Sequence, residues 1–441
     1  MNRKFDDRTS FFLRVGGMVF STLVVVYVVC SHSASAVCSI SPGLSNLSPT
    51  AFLAEQKPAE TSIVGSEATF ARPTIVEDSE PGVEDPSTWQ FSPERDSHNY
   101  GLSTSQCAVA FPRLYHEIHR AAAYQGQRGN TATVSPPPGP GQVHVAIRNR
   151  QLYILSTRYD GNGYDIRRSL AILGSIYRAI TASSDPIPDT DFTFSVRDIA
   201  EPDHSNRTLW VLARTAATEQ HWVMPDFGYW SWELDLVGEY SAVRERMLGN
   251  EVDFASKDAR ALWRGAKNNA VRAALLKAAR GRDWADVEEI TWRDRTRFMA
   301  ASQRLAVPMW EHCRYKYLIH TEGRSYSGRG KYLLNCHSVV IMHELEWVEN
   351  YHHLLVASGP DQNVVSVERD FSDLEDKVRY LNTHPERARR IVDNSVAIFR
   401  DRYLTPAAQA CYYREMVRSW AKLSDTREVD VGRAVPFETY M

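Results

Sequence analysis

The chain has 441 residues, enough for two domains with complete cores. Its 51 basic and 54 acidic side chains leave a formal charge of −3, which gives no electrostatic footprint for a nucleic acid, and no nucleic-acid partner is expected. Aromatic residues make up 11 %, with 11 Trp and 20 Tyr, a content that suits stacking on sugars and a large core alike.

Arg3, Lys4, Arg8 and Arg14 precede a stretch, Val15 to Ala36, that has no Asp, Glu, Lys or Arg and an apolar centre, MVFSTLVVVYVVC. No charged residue follows until Glu55, so the cations place the N-terminus in the cytosol and the bulk of the chain in the lumen. The stretch is just long enough to cross a thin early-secretory membrane. Two readings stay open. One is a retained signal anchor over 15–36 behind a cytosolic tail of 1–14, the assignment adopted here; the other is a signal peptide cleaved after Ala34-Ser35-Ala36. Residues 37–100, rich in Pro, Ser, Glu and Thr, read as a flexible stem.

An oxidising lumen permits disulfides among Cys107, Cys313, Cys336 and Cys411, with connectivity left open; Cys30 and Cys38 lie in and just beyond the apolar stretch. Two glycosylation sequons begin at Asn46 and Asn206, the first handicapped by Pro49.

Beyond the stem, Cys107 to Tyr124 has apolar residues at helical spacing. A Pro/Gly loop, Ser135 to Gly141, separates it from a strand pair, Val143 to Ile147 and Gln151 to Leu155. A helix is expected over Arg167 to Ser183, and strands over Phe192 to Val196 and Leu209 to Leu212. A strand–helix rhythm follows: strand Ala261 to Trp263, helix Asn269 to Arg280, strand Tyr315 to His320, strand Ser338 to Met342 and strand Val364 to Val367. Helices from Ser372 to Asn382, Pro385 to Tyr403 and Pro406 to Leu423 close the chain. Alternating strands and helices predict an α/β protein with parallel sheets. The domains are expected over 101–245 and 246–425, with a tail of 426–441.

The most chemically loaded segment is Tyr315 to His343, YKYLIHTEGRSYSGRGKYLLNCHSVVIMH. A buried strand feeds a loop holding Gly323, Gly328 and Gly330, and the loop opens a short helix; Arg324, Arg329 and Lys331 lie within it. Backbone N–H groups and a positive dipole end presented this way suit an anion, and three cations suit a diphosphate. A glycine turn with solvated charges is the plain alternative.

This segment resembles the signature of glycosyltransferase family 90, the capsule-associated and protein O-glucosyltransferase family with a CAP10 domain. The resemblance continues through Ser195 to Asp198 (SVRD), Met224 to Trp232 (MPDFGYWSW), Leu262 to Arg272 (LWRGAKNNAVR) and Asp361 to Leu374 (DQNVVSVERDFSDL), five motifs in order across Cys107 to Lys422. It implies a GT-B-like fold, two Rossmann-like domains facing a cleft. It also implies an inverting transfer of a sugar, glucose or xylose, from a UDP-sugar donor to a protein or glycan hydroxyl acceptor, with no cofactor required. With the N-terminal helix anchored in the membrane, a type II protein of the Golgi or endoplasmic reticulum is expected.

The resemblance places Asp198, which follows the strand DFTFS, on the catalytic aspartate, and Arg272 on a donor-diphosphate arginine. It puts Ala266 where some relatives have a hydroxyl residue. The expected donor-binding set is Arg264, Ala266, Arg272, Gly323, Arg324, Ser325, Tyr326, Ser327, Gly328, Arg329 and Lys331. Asp226, Trp230 and Trp232 are a candidate acceptor platform, with core packing as the other reading.

Rival patterns are weaker. Asp189 and Asp191 form a D-x-D string read as a turn, and the spacings of His337, His343, His352, His353 and Cys336 fit no metal motif. Gly323-Arg-Ser325-Tyr-Ser327 lacks the final glycine of a serine-hydrolase turn. A sugar-nucleotide-binding protein without turnover is the non-enzyme alternative.

Overall fold

Two sheets carry the fold. A computed structural model describes residues 89–127, 129, 138–161, 163–200, 208–232, 234, 236–290, 306–424 and 431–441. The expected tail, signal anchor, most of the stem and the Asn206 sequon lie outside the described residues. None of the described helices is long and apolar enough to cross a membrane.

After a short helical turn at Pro93–Asp96 come helices α1 (Thr104–Ala110) and α2 (His116–Gln127), where periodicity predicts one helix. Pro112 explains the break: it disfavours helical geometry at Phe111, whose φ/ψ of −130/58 ends α1. Strands β1 (Gln142–Arg148) and β2 (Gln151–Arg158) form a hairpin through Asn149 and Arg150, both at positive φ. Helix α3 (Tyr164–Thr181) follows, then β3 (Thr190–Ser195) and the two-residue strands β4 (Trp210–Val211) and β5 (Trp222–Val223). With β13 (Val435–Pro436) they form a sheet in the order β13-β2-β1-β3-β4-β5.

This first sheet is mixed, where a parallel one is expected. Strand β1 runs antiparallel to both β2 and β3, and only β3, β4 and β5 are mutually parallel. The reason is local: a two-residue turn can join only antiparallel strands.

A short ribbon of β6 (Ser231–Trp232) and β7 (Gly238–Glu239) and helix α4 (Tyr240–Gly249) lead into the second half. There β8 (Asp258–Gly265), α5 (Ala270–Ala279), β9 (Ala285–Glu289), β10 (Tyr315–His320), α6 (Gly330–Leu333), β11 (Val339–His343) and β12 (Val365–Val367) alternate. The sheet order is β12-β11-β10-β8-β9, and every pairing is parallel as predicted. Strand β11, VVIMH, is buried throughout, the continuous apolar run that a sheet covered on both faces requires. Strand β9 escapes sequence reading because ADVEE, at the sheet edge, carries no apolar run.

Helices α7 (Leu374–Thr383) and α8 (Pro385–Ser395) cover the second sheet, and α8 continues as a π-helical stretch, Val396–Tyr403. Helix α9 (Pro406–Ala421) then returns to the first sheet. Its Trp420 donates from Nε1 to the Asp191 carbonyl at 2.8 Å, and the Tyr412 and Tyr413 hydroxyls donate to the carbonyls of Val223 and Pro225. The Cys107–Cys411 disulfide ties α1 to α9, and Cys313–Cys336 closes the segment that contains β10 and the glycine-rich loop.

Candidate active site

Sheet order dictates where a ligand can enter. The chain passes from β8 outward to β9, then back across β8 to β10, so connections leaving β8 and β10 diverge and open a crevice at the strands' carboxyl ends. A cleft of about 610 Å³ lies there. Gly265, Ala266, Asn268 and Arg272 line it after β8, and Gly323, Arg324, Tyr326, Ser327, Gly328 and Arg329 line it after β10. Tyr164, Arg168, Asp198, Phe227 and Trp232 come from the part of the chain that builds the first sheet and the β6–β7 ribbon.

Among the described residues, charge in this cleft is lopsided, with Arg168, Arg272, Arg324 and Arg329 facing one carboxylate, Asp198. Arg272 sits in the first turn of α5, whose N-cap Asn269 accepts from the Arg272 backbone N–H at 2.8 Å. Among the described residues its guanidinium donates only to backbone carbonyls, Glu322 at 2.9 Å and Ala266 at 3.1 Å. Arg329 lies close by; the two guanidinium carbons stand 5.9 Å (Arg329) and 5.7 Å (Arg272) from the Trp263 ring centroid. Burial pulls the pKa of Arg272 down to about 10, and burial together with Arg272 pulls that of Arg329 down to about 9. Guanidinium groups remain charged at physiological pH, so both are desolvated cations with no acidic partner among the described residues. The same field reaches His312, pushed down to about 3 by burial first and then by Arg329.

Gly323 lies against Arg272, where an added Cβ would stand in ordinary contact at 3.4 Å from Nη2. Glu322, missed in the sequence, braces the same point. Its carbonyl holds Arg272, while its carboxylate accepts from the N–H groups of Glu346 and Trp347 at 2.8 Å and from Arg369 at 3.2 Å.

Asp198 lies three residues past β3, with its side chain 48 % exposed to the cleft. Arg168 on α3 donates to Asp198 Oδ1 at 2.8 Å and to the Val196 carbonyl at 3.1 Å, and its guanidinium covers the Phe227 ring at 4.5 Å. Arg168 carries no sequence signal, because its partner lies 30 residues away.

Three of the expected donor-binding side chains point elsewhere. Lys331 is fully buried, donating to Asp226 Oδ2 at 2.8 Å and to the Gly328 carbonyl at 2.7 Å, so it braces the loop instead of meeting the cleft. Arg264 reaches across the sheet to β9, where Asp286 Oδ1 accepts at 2.5 Å. Ser325 is buried and does not line the cleft, and no described histidine hydrogen-bonds to it, which leaves the hydrolase pattern without a base. Of the aromatic platform only Trp232 faces the cleft; Trp230 packs on Gly174 of α3 and Asp226 is sealed against Lys331.

The other patterns resolve structurally. Asp189 accepts from the Asn149 N–H in the hairpin turn, and Asp191 pairs with His144 at 2.8 Å. His337 pairs with Asp393, His352 with Glu349, and Cys336 is in a disulfide. No group of three or more acidic, histidine or cysteine side chains converges as metal ligands among the described residues.

Comparison with known proteins agrees with the resemblance read from the sequence. The family described as Glycosyl transferase family 90 matches residues 111–435. Protein O-glucosyltransferase 1 of Rattus norvegicus is 24 % identical over 268 residues, covering 57 % of this chain and 67 % of that protein. The O-glucosyltransferase rumi homolog of Anopheles gambiae is 24 % identical, covering 54 % of this chain and 62 % of that protein. Protein O-glucosyltransferase 2 of Danio rerio is 25 % identical, covering 64 % of this chain and 56 % of that protein.

Proposed function

The chain belongs to glycosyl transferase family 90, and from that premise we propose that it is an inverting glycosyltransferase that moves glucose or xylose from a UDP-sugar to a hydroxyl of a protein or glycan. The observation that carries the donor half is the pair Arg272 and Arg329, buried beside each other over Trp263 at the switch point of a parallel sheet, with no acid partner among the described residues. A diphosphate supplies the missing negative charge, and its departure as UDP is eased by the same cations. No metal or other cofactor is required in this reading.

Asp198 supports the acceptor half. It is the one carboxylate that lines the cleft among the described residues, and a base on the acceptor hydroxyl is what a single-displacement transfer needs. Attack on the face opposite the leaving diphosphate then inverts the anomeric centre. The reading treats the two sheets and the cleft between their loops as a GT-B-like arrangement, with a mixed sheet on the acceptor side. Disulfides at Cys107–Cys411 and Cys313–Cys336 support an oxidising compartment, the lumen of the Golgi or endoplasmic reticulum, reached with a type II anchor over residues 15–36.

Titration of the protein with UDP, followed by hydrolysis of UDP-glucose and UDP-xylose without acceptor, tests the donor assignment. Micromolar UDP binding with slow sugar release supports it; absence of any UDP binding removes it. Retention of the full chain in membranes after carbonate extraction tests the anchor, and a mature N-terminus at Val37 replaces it with a cleaved signal.

A further inference from the structure

Among the described residues nine tyrosines are buried: Tyr229, Tyr240, Tyr317, Tyr326, Tyr332, Tyr351, Tyr403, Tyr412 and Tyr413. A buried phenol normally finds a hydrogen-bond partner, and seven of these do, among them Tyr332 with the Gly228 carbonyl at 2.9 Å and Tyr240 with the Leu404 carbonyl at 2.9 Å. The Tyr229 hydroxyl is sealed in the core without one. Tyr326 differs from all of these. Its side chain is only 8 % exposed and its ring packs in the larger core, yet it lines the cleft, and its hydroxyl bonds to no described residue.

Its neighbours locate the hydroxyl further. Tyr326 sits in the glycine-rich loop, three residues before Arg329, and lines the same cleft as Asp198. Burial first, then the charges of Asp226 and Asp198, raise its pKa, so the group remains a protonated donor. In a displacement at the anomeric carbon, the sugar lies between the leaving diphosphate and the base. A donor on the diphosphate loop that lines the same cleft as Asp198 is therefore placed beside the sugar.

We propose that Tyr326 is a specificity-determining residue whose phenol donates a hydrogen bond to a hydroxyl of the sugar carried by the nucleotide. This rests on the UDP-sugar reading of the cleft and adds the group that reads the sugar rather than the diphosphate.

Tyr326→Phe keeps the ring and removes only the oxygen. Calorimetry with UDP, UDP-glucose and UDP-xylose on wild type and variant separates the possibilities. UDP affinity should stay within about twofold, while the preferred UDP-sugar weakens roughly three- to tenfold, the worth of one neutral hydrogen bond. Among UDP-deoxy sugars, the one lacking the recognised hydroxyl should bind both proteins equally. Equal weakening of UDP and UDP-sugar overturns the assignment in favour of a loop effect, and an unchanged UDP-sugar affinity overturns it outright. A wild-type protein that binds UDP but gains nothing from any sugar also removes it. Failure of the wild type to bind UDP at all removes the underlying donor reading.

Discussion

Lys331 Nζ stands 2.8 Å from Asp226 Oδ2, and both side chains are buried, 0 % and 1 % exposed. The pair joins the loop after β5 to the helix that follows the glycine-rich loop, so it fixes part of the acceptor side against the donor loop. Two glycines make room for it. A Cβ on Gly228 would stand 2.8 Å from Lys331 Nζ, and one on Gly328 would stand 2.8 Å from Asp226 Oδ2. Asp226 also accepts from the Gly228 N–H at 2.7 Å.

Removing one partner strands the other charge. Asp226→Asn should destabilise the protein by about 3–5 kcal/mol, the usual penalty for breaking a buried ion pair. Adding Lys331→Met should recover much of that loss, because the stranded ammonium is gone. Denaturant unfolding of the single and double variants checks this, and a double variant no better than the single would show that the charges are not each other's main partner.

The two arginines that sequence reading treats alike should separate. Arg272→Ala removes a cation whose burial no acid offsets, so UDP affinity should fall roughly 10- to 150-fold, the worth of about 1.5–3 kcal/mol for a charged hydrogen bond. Arg264→Ala instead breaks the contact with Asp286 and should lower thermal stability while leaving UDP affinity within a few-fold. UDP titration of both variants decides it; equal losses of affinity would return Arg264 to the donor site.

That divergence shows what the sequence could carry. Apolar runs such as VVIMH depend on nearby residues, so the parallel second sheet and the glycine-rich loop were legible, whereas Arg272 was placed at the donor site by the family resemblance. Lys331 looks like a phosphate ligand until Asp226, 105 residues away, neutralises it. The positions of Arg168 beside Asp198 and of α9 on the first sheet likewise arise from contacts between distant segments. The rest of the first sheet, beyond the β1–β2 hairpin, was hidden for another reason: a strand pattern gives no direction for β3, and β4 and β5 are only two residues each.

The disulfides should divide stability from binding. Cys313–Cys336 spans 23 residues that include β10 and the donor loop, and its closure is worth about 3 kcal/mol on chain-entropy grounds. Replacing both cysteines with serine should lower the melting temperature and weaken UDP binding, since the loop loses its tether. The same replacement at Cys107 and Cys411, which tie α1 to α9 away from the cleft, should lower the melting temperature alone. Thermal melts paired with UDP titrations distinguish the two, and equal UDP affinity in both variants would detach the donor loop from its disulfide.

Asp198→Asn is the most direct test of the chemistry. The substitution keeps the shape of the side chain and can still accept from Arg168, whose guanidinium stands 2.8 Å from Oδ1, so the cleft should keep its geometry. What is lost is the capacity to take a proton from the acceptor hydroxyl. UDP affinity should remain within a few-fold, because Arg272 and Arg329 hold the diphosphate, while transfer falls by roughly 10²–10⁴, the usual contribution of a positioned base. Asp226 cannot substitute, being sealed against Lys331. The product from a UDP-α-sugar should be β-linked, which NMR of the isolated glycoside reads directly. Near wild-type transfer in a variant that binds UDP normally would move the base away from Asp198, and an α-linked product would overturn single displacement whatever the variant did.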